Sequence, residues 1–270
     1  GTFSPTEIVR MSRDANLYAI ALTDHDTTDG INEFVSAAEG LDIKVVPGIE
    51  ISCNWNFREI HIVGLWIDHN NRELSDFLKV VIANRNSRNS QIVDNLKSRG
   101  FDISLKDIEN EAGGDVIGRL HIASILVKKK YYKKIQAAFN DTLGKNTEHY
   151  VGRILPTIEE AINIIHKANG IGIWAHIAHK NKKDISNLKS DMSLFKNLGL
   201  DGVEGYYPEY SAVQHREILK YAKELELVIS GGSDYHGKNR DRINLGIAYG
   251  DLKIPVDIYF QLEKYHLKKS

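Results

Sequence analysis

Several short stretches of acidic residues and histidine follow apolar runs in this chain. The stretch LTDHDT, at residues 22 to 27, ends the apolar run from Leu17 to Leu22 with two aspartates around a histidine. An acidic cluster of this kind often forms only a turn, because aspartate hydrogen-bonds to its own backbone. Metal ligation is the alternative, provided that other strand ends supply matching side chains.

Matching side chains occur at four more places, each on or directly after an apolar run. Glutamate lies within VVPGIEIS and histidine within EIHIVG, a histidine closes IGIWA, and GGSDYHG follows LVIS. The aspartate and histidine of GGSDYHG are two residues apart, so in an extended chain both point the same way. The candidate metal ligands are His25, Glu50, His61, His176, Asp234 and His236, with His179 undecided.

The residue types of these candidates indicate which metals they suit. Imidazole and carboxylate without thiolate favour Zn, Mn or Fe(II). The single cysteine, Cys53, excludes a cysteine-based zinc site and an internal disulfide. Glu50 lies inside an apolar strand, where an acid needs a partner or a metal, and it is the natural bridge between ions. For one histidine alone, such as His61, a hydrogen-bonded core position is the ordinary alternative.

Strands and helices alternate on both sides of a helical middle section. We predict helices at 5–15, 28–39, 157–169, 188–198 and 211–225. We predict strands at 17–23, 43–52, 59–67, 171–175, 202–206, 227–230 and 245–250. This alternation favours parallel βαβ units and a (β/α) barrel. In such a barrel the functional side chains lie at the carboxyl ends of the strands, where the candidate ligands fall.

The middle section contains no convincing strand. A long polar helix is predicted at 71–99, followed by shorter helical pieces up to about residue 143. We therefore expect a barrel formed by residues 1–69 and 156–270, interrupted by a helical insertion at 70–155 that caps the active site.

Overall composition excludes several classes of protein. The 35 basic and 36 acidic residues nearly cancel, so net charge does not demand a nucleic acid or an anionic membrane as partner. There is no apolar run of about 18 residues and no signal peptide. Together with the single cysteine, this indicates a cytoplasmic, soluble protein with no membrane partner. The oligomeric state does not follow from the sequence.

The order of these motifs resembles a known family. LTDHDT, PGIEIS, EIHIVG, an alanine–histidine pair after a strand, and GSDYH occur in the order seen in PHP-domain (polymerase and histidinol phosphatase) phosphoesterases. The likeness is strongest to the branch of nucleoside 3′,5′-bisphosphate phosphatases and ribonuclease AM. It implies an α/β fold, a distorted (β/α)7 barrel, that holds two to three divalent ions, Mn, Zn or Fe.

The resemblance also implies roles for individual residues. It distributes the candidate ligands over three ions. His25 and His236 bind the first ion, Glu50 and Asp234 bind the second, and Glu50, His61 and His176 bind the third, so that Glu50 bridges two ions. The R-x-H element of that branch matches GRLHIASIL at 118–126, which makes Arg119 and His121 substrate-binding candidates. From the residues alone, Arg119 is equally a solvated helix residue, and His121 equally packs in a core.

The implied activity is metal-assisted hydrolysis of a phosphate ester. A hydroxide held by the metal ions attacks, and no protein nucleophile is assigned. The expected substrate is a phosphorylated nucleotide or short RNA, so the expected function is a nucleoside 3′,5′-bisphosphate phosphatase or a 5′–3′ exoribonuclease.

The chain departs from the family at its beginning. The first strand and first metal motif, D-L-H-x-H-S-x-x-S-D-G, are absent apart from Gly1, so we expect that a segment precedes it. Ile177 stands where proline is common. The alternative function is a non-catalytic PHP-like module with an incomplete metal site that binds a nucleotide or a partner. An amidohydrolase-like enzyme is a third reading, but no strand clearly offers the metal-bridging lysine.

Overall fold

The computed structural model describes residues 1–112, 117–148, 150–178, 186–240 and 242–269, with the side chain of residue 239 left out. The chain divides into two compact units. The first combines Gly1–Ser75 with Pro156–Ser270, and the second is Asp76–Leu155.

The first unit is built on a six-stranded sheet. Its strands, in chain order and in spatial order, are β1 Ala19–Leu22, β2 Lys44–Trp55, β3 Arg58–Leu65, β4 Ile171–Trp174, β5 Gly202–Tyr206 and β6 Val228–Gly231. The α/β class predicted from the sequence is confirmed, whereas closure of the sheet into a (β/α)7 barrel stays a prediction.

The prediction of parallel pairing is wrong for one strand. β1 pairs with β2, β4 with β5 and β5 with β6 in parallel, but β3 is antiparallel to both of its neighbours. The reason is the connection between β2 and β3, which consists of Asn56 and Phe57, both with positive φ (47° and 61°). A two-residue turn of this kind makes a hairpin, since a parallel crossover needs a dozen or more residues.

A second error concerns residues 245–250, which were predicted as a strand. The structure has turns there, with a single isolated bridge between Asn244 and Ala248. Gly246, Ala248 and Gly250 have φ of 76°, 50° and 103°. Three left-handed residues within five positions are incompatible with an extended strand.

Helices alternate with the strands in the first unit and make up the second. Their bounds are α1 Pro5–Asp14, α2 Ile31–Ala37, α3 Arg72–Ser98, α4 Leu105–Ala112, α5 Arg119–Lys128, α6 Ile135–Ala138, α7 Ile158–Lys167, α8 Leu188–Asn197, α9 Ala212–Glu224 and α10 Val256–Lys269. A capping box formed by Ser4 and Glu7 starts α1. No helix among the described residues combines the length and the apolar character needed to cross a membrane.

Buried isoleucines on β2 determine which face of the sheet the Glu50 side chain lies on. On β2, Ile49 and Ile51 are fully buried on either side of Glu50. Because side chains alternate along a strand, these two isoleucines point away from the face on which Glu50 lies. Their burial therefore sets the register that presents the Glu50 carboxylate. The second unit has its own apolar core, formed by residues that include Ile108, Ile122 and Leu126.

Candidate metal centre

The structure brings all of the predicted ligands together in one pocket of about 320 Å³ in the first unit. Its lining residues are His25, Glu50, His61, His176, Asp234, His236 and Arg240. His25 follows β1 and forms a backbone bridge with Glu50 on β2, and His176 follows β4. Strand ends therefore position His25 and His176, as expected from the sequence, whereas Glu50 and His61 lie within β2 and β3. His179 lies outside the described residues.

Glu50 is the centre of this cluster. Its side chain is 8% exposed, and its Oε1 lies 2.8 Å from Nδ1 of His61 and 3.0 Å from Nε2 of His176. The two histidine nitrogens are themselves 3.0 Å apart. In this triangle each nitrogen can donate a proton to the carboxylate, but no proton is left to join the two nitrogens. A cation would satisfy all three atoms, because each can offer it a lone pair.

A second observation at His25 also fits a cation. Its Nδ1 is buried and has no hydrogen-bond partner among the described residues, and the nearest carboxylate oxygen, Oε2 of Glu50, is 3.5 Å away. Burial lowers the pKa of His25, which favours the neutral imidazole that ligates metals. The candidate ligand atoms of His25, Glu50 and His61 all lie within 4.8 Å of one another.

The charges around Glu50 are strongly coupled. Burial alone would raise the pKa of Glu50, but His25 and His61 hold it well below its usual range. Burial lowers the pKa of His61, yet the Glu50 carboxylate outweighs this and raises it to about 10. Without a metal, a proton on His61 thus balances the carboxylate. Metal binding displaces such a proton, because a ligating imidazole must be neutral.

Asp234 and His236 form the other side of the pocket. His236 Nδ1 lies 2.9 Å from the backbone oxygen of Asp234. A carbonyl can only accept, so Nδ1 carries the proton, and in the neutral ring Nε2 keeps its lone pair. The ring of His236 lies 6.3 Å from that of His25, consistent with the pairing that the family resemblance implies.

Left-handed turns place several of these side chains. Asp26, His176 and Asp234 have φ of 57°, 36° and 51°. The backbone N–H of Asp26 donates to the backbone oxygen of Glu50 at 2.9 Å. The Asp26 carboxylate accepts from the backbone N–H of Ser52 at 2.9 Å. Asp26 thus ties the turn that carries His25 to strand β2.

Glu204 on β5 belongs to the site and was missed from the sequence. Its Oε2 accepts the backbone N–H of His176 at 2.6 Å. Burial, with the negative charges of Asp234 and Glu50, raises the pKa of Glu204 well above its usual range. The signal was available, because GVEGY places an acid inside an apolar strand, as VVPGIEIS does for Glu50.

Arg240 was also missed. It ends a short 3-10 turn, Gly237–Arg240, and its Nη1 donates to Oδ2 of Asp234 at 2.5 Å. The hydroxyl of Tyr207 donates to the same oxygen at 3.1 Å. The sequence GKNRDR does not show which of its two arginines enters the pocket, because Arg240 and Arg242 lie in similar positions; Arg242 is exposed in the structure. Only the folded loop shows which arginine enters the pocket.

The two predicted substrate residues lie in the second unit, in helix α5. Arg119 donates to the carbonyl of Leu143 at 3.0 Å and to the hydroxyl of Tyr150 at 3.2 Å. His121 Nδ1 accepts the backbone N–H of Gly118 at 3.2 Å, and burial lowers the pKa of His121. Their role in substrate binding stays a prediction.

Comparison with known proteins places this chain in a family. The model of the PHP domain matches residues 1–236. The chain belongs to the PHP-domain family. A 5′–3′ exoribonuclease of Haemophilus influenzae is 35% identical over 254 residues, which cover 90% of this chain and 91% of that protein. A 3′,5′-nucleoside bisphosphate phosphatase of Chromobacterium violaceum is 28% identical, over 91% of this chain and 86% of its own.

A solved structure has a similar fold. A Bifidobacterium adolescentis protein described as a metal-dependent phosphoesterase superposes with a TM-score of 0.84 at 28% identity, over 97% of this chain and 91% of its own. The family resemblance inferred from the motifs is therefore confirmed.

Proposed function

We propose that this PHP-domain chain is a metal-dependent phosphoesterase that hydrolyses phosphate esters of nucleotides. The substrate is a nucleoside 3′,5′-bisphosphate or the 5′ end of a short RNA. The observation that carries the proposal is the buried Glu50 carboxylate, 2.8 and 3.0 Å from two imidazoles in a pocket with further metal-ligand side chains. The names of the relatives from H. influenzae and C. violaceum support the substrate class.

The residues present fit a centre of two to three divalent ions, Zn, Mn or Fe(II). The side chains that would hold them are His25, Glu50, His61, His176, Asp234 and His236. Ions bound there would lower the pKa of water and would neutralise charge on the phosphoryl group. Because activated water would be the nucleophile, the reaction needs no serine, cysteine or other protein nucleophile.

The remaining residues orient the ligands and the substrate. Glu204 holds the backbone of His176, and Asp26 ties the turn of His25 to β2. Arg119 and His121 bind the second phosphate of a bisphosphate in this proposal. This contact would give selectivity for a bisphosphate over a simple phosphomonoester. A guanidinium suits that role because its planar fork matches phosphate oxygens. The cap formed by residues 70–155 and the cytoplasmic location also stay predictions.

Phosphate release tests the proposal. Chelator-treated protein is assayed before and after addition of Mn²⁺, with adenosine 3′,5′-bisphosphate and with a 5′-phosphorylated oligoribonucleotide, and Glu50→Gln is the control variant. We expect no hydrolysis without metal, and metal-restored release of phosphate from the bisphosphate or of mononucleotides from the RNA. The ratio of the two rates identifies the preferred substrate. Metal-restored binding of either substrate without hydrolysis would instead favour the non-catalytic module.

A further inference from the structure

Arg240 is the one guanidinium among the described residues that line the pocket. Its Nη1 donates to Asp234 Oδ2 at 2.5 Å, and its Nη2 donates to Glu209 Oε1 at 2.9 Å. Arg240 therefore bridges a carboxylate inside the pocket and a carboxylate behind it.

The two carboxylates differ in their surroundings. The Glu209 side chain is 6% exposed, whereas that of Asp234 is 22% exposed and lines the pocket. Water and entering anions compete less for a charge-assisted bond to a buried carboxylate, so the bond to Glu209 is the less readily exchanged of the two. Glu209 thus holds one end of the guanidinium in place, while the end that faces Asp234 borders the open pocket.

Asp234 is also a proposed metal ligand, so it faces two competing cations. A divalent ion at Asp234 withdraws charge from its oxygens and weakens their bond to Arg240. The guanidinium has five N–H donors in a fixed fork, and Glu209 keeps it oriented. Its Nη1 is then directed toward whichever anion enters the pocket beside the ion.

We propose that Arg240 binds a phosphoryl oxygen of the substrate and of the inorganic phosphate product, and that it exchanges Asp234 for this anion when the centre is loaded. This inference rests on the proposed phosphoesterase function. The competing role is structural: Arg240 would only neutralise Asp234 and hold it in place for the metal.

The two roles predict changes in different quantities. If Arg240 binds phosphate, its removal weakens phosphate binding, while metal affinity is unchanged or increases because a competitor for Asp234 is gone. If Arg240 only positions Asp234, its removal weakens metal binding, and phosphate affinity at full metal occupancy is unchanged. Measuring both affinities on the same variants therefore separates the roles.

The experiment uses Arg240→Ala and Arg240→Lys, with Arg242→Ala as the matched control at an exposed arginine two residues away. Calorimetry measures Mn²⁺ binding to the metal-free protein and inorganic phosphate binding to the Mn²⁺-loaded protein, and the KM for the phosphate ester is determined in parallel. For Arg240→Ala we expect phosphate Kd and KM to rise about tenfold to a hundredfold, the size of a lost charge-assisted contact. Arg240→Lys should lie between Arg240→Ala and wild type, and Arg242→Ala should match wild type.

An unchanged phosphate Kd in the loaded Arg240→Ala protein would overturn the inference, as would a loss of Mn²⁺ affinity as its sole effect. If Arg240→Ala fails to fold, as judged by thermal unfolding, Arg240→Lys decides: a phosphate Kd equal to that of wild type overturns the inference. Failure of the proposed function is distinguishable, since wild-type protein would then bind phosphate but release none from any ester.

Discussion

Two arginines of this protein differ in the charge of their hydrogen-bond partners: one lies in the pocket of the first unit and the other in helix α5 of the second unit. In the pocket, Arg240 donates to the carboxylates of Asp234 and Glu209. In α5, Arg119 donates to the carbonyl of Leu143 and to the hydroxyl of Tyr150, and its guanidinium lies 4.7 Å from the centre of the Tyr150 ring. No carboxylate contacts Arg119 within the described part of the chain.

This difference indicates how each arginine can meet an anion. Among the described residues Arg119 contacts only neutral partners, so an anion can bind it without displacing any charged group described there. Arg240 is already paired, so an anion must replace Asp234, which becomes favourable only when a cation takes that carboxylate. Anion binding at Arg240 should therefore depend on the metal, whereas anion binding at Arg119 should not.

The largest effect is expected from removing the negative charge of Glu50, the carboxylate at the centre of the histidine cluster. Glu50→Gln keeps the shape of the side chain but removes the negative charge shared by its histidine neighbours. We expect metal affinity and activity to fall by more than the roughly 10- to 100-fold typical of residues behind the ligands. Elemental analysis of the purified variants measures the metal content. Full occupancy in Glu50→Gln, with loss of metal in His61→Ala, would show that Glu50 is not the bridge.

A smaller and selective effect is expected at Arg119. A charge-assisted contact to phosphate contributes roughly 1.5 to 3 kcal/mol. We therefore expect Arg119→Ala to lower kcat/KM for a 3′,5′-bisphosphate by about 10- to 150-fold, with little change for a simple aryl phosphate. Binding of the bisphosphate to metal-free protein should weaken in Arg119→Ala but not in Arg240→Ala. Equal losses on both substrates would place Arg119 at the scissile phosphate, and no loss would leave it a structural residue.

The convergence of the proposed ligands was predictable because it depends on local patterns. Apolar runs locate the strands, and parallel strands bring the residues at their carboxyl ends to one edge, so His25 and His176 could be placed together. The reversed direction of β3 was harder, since hydrophobic periodicity carries no strand direction. The short gap between the predicted strands at 43–52 and 59–67 was the available signal, because a parallel crossover does not fit there.

The acid in GVEGY could be recognised in the same way, but the contact that Glu204 makes and the position of Arg240 could not be predicted. Glu204 acts on the His176 backbone, and this contact joins residues 28 positions apart on different elements. Arg240 enters the pocket through a turn whose course depends on Gly237, with φ of 65°, and on the carboxylates that receive its guanidinium. Such contacts arise from the tertiary fold and leave no periodic trace in the sequence.

The smallest effect is expected from Glu204, whose contact to His176 is to the backbone. Glu204→Ala removes the acceptor for the His176 N–H and should weaken metal binding about 10- to 100-fold, as is typical for residues that orient ligands. Glu204→Gln keeps a carbonyl acceptor and should bind metal within about threefold of wild type. Titration of Mn²⁺ into both metal-free variants measures this difference. An equal loss in the two variants would indicate that the Glu204 carboxylate itself contacts the metal.

Anomalous diffraction from crystals soaked in Mn²⁺ shows whether Glu50 and its histidine neighbours ligate metal, because it locates the ions independently of activity. We expect at least one strong peak within about 2.0–2.3 Å of the Glu50 carboxylate and of an imidazole nitrogen from His25, His61 or His176. Peaks confined to positions outside the pocket, with Glu50 still bonded only to histidine, would contradict it.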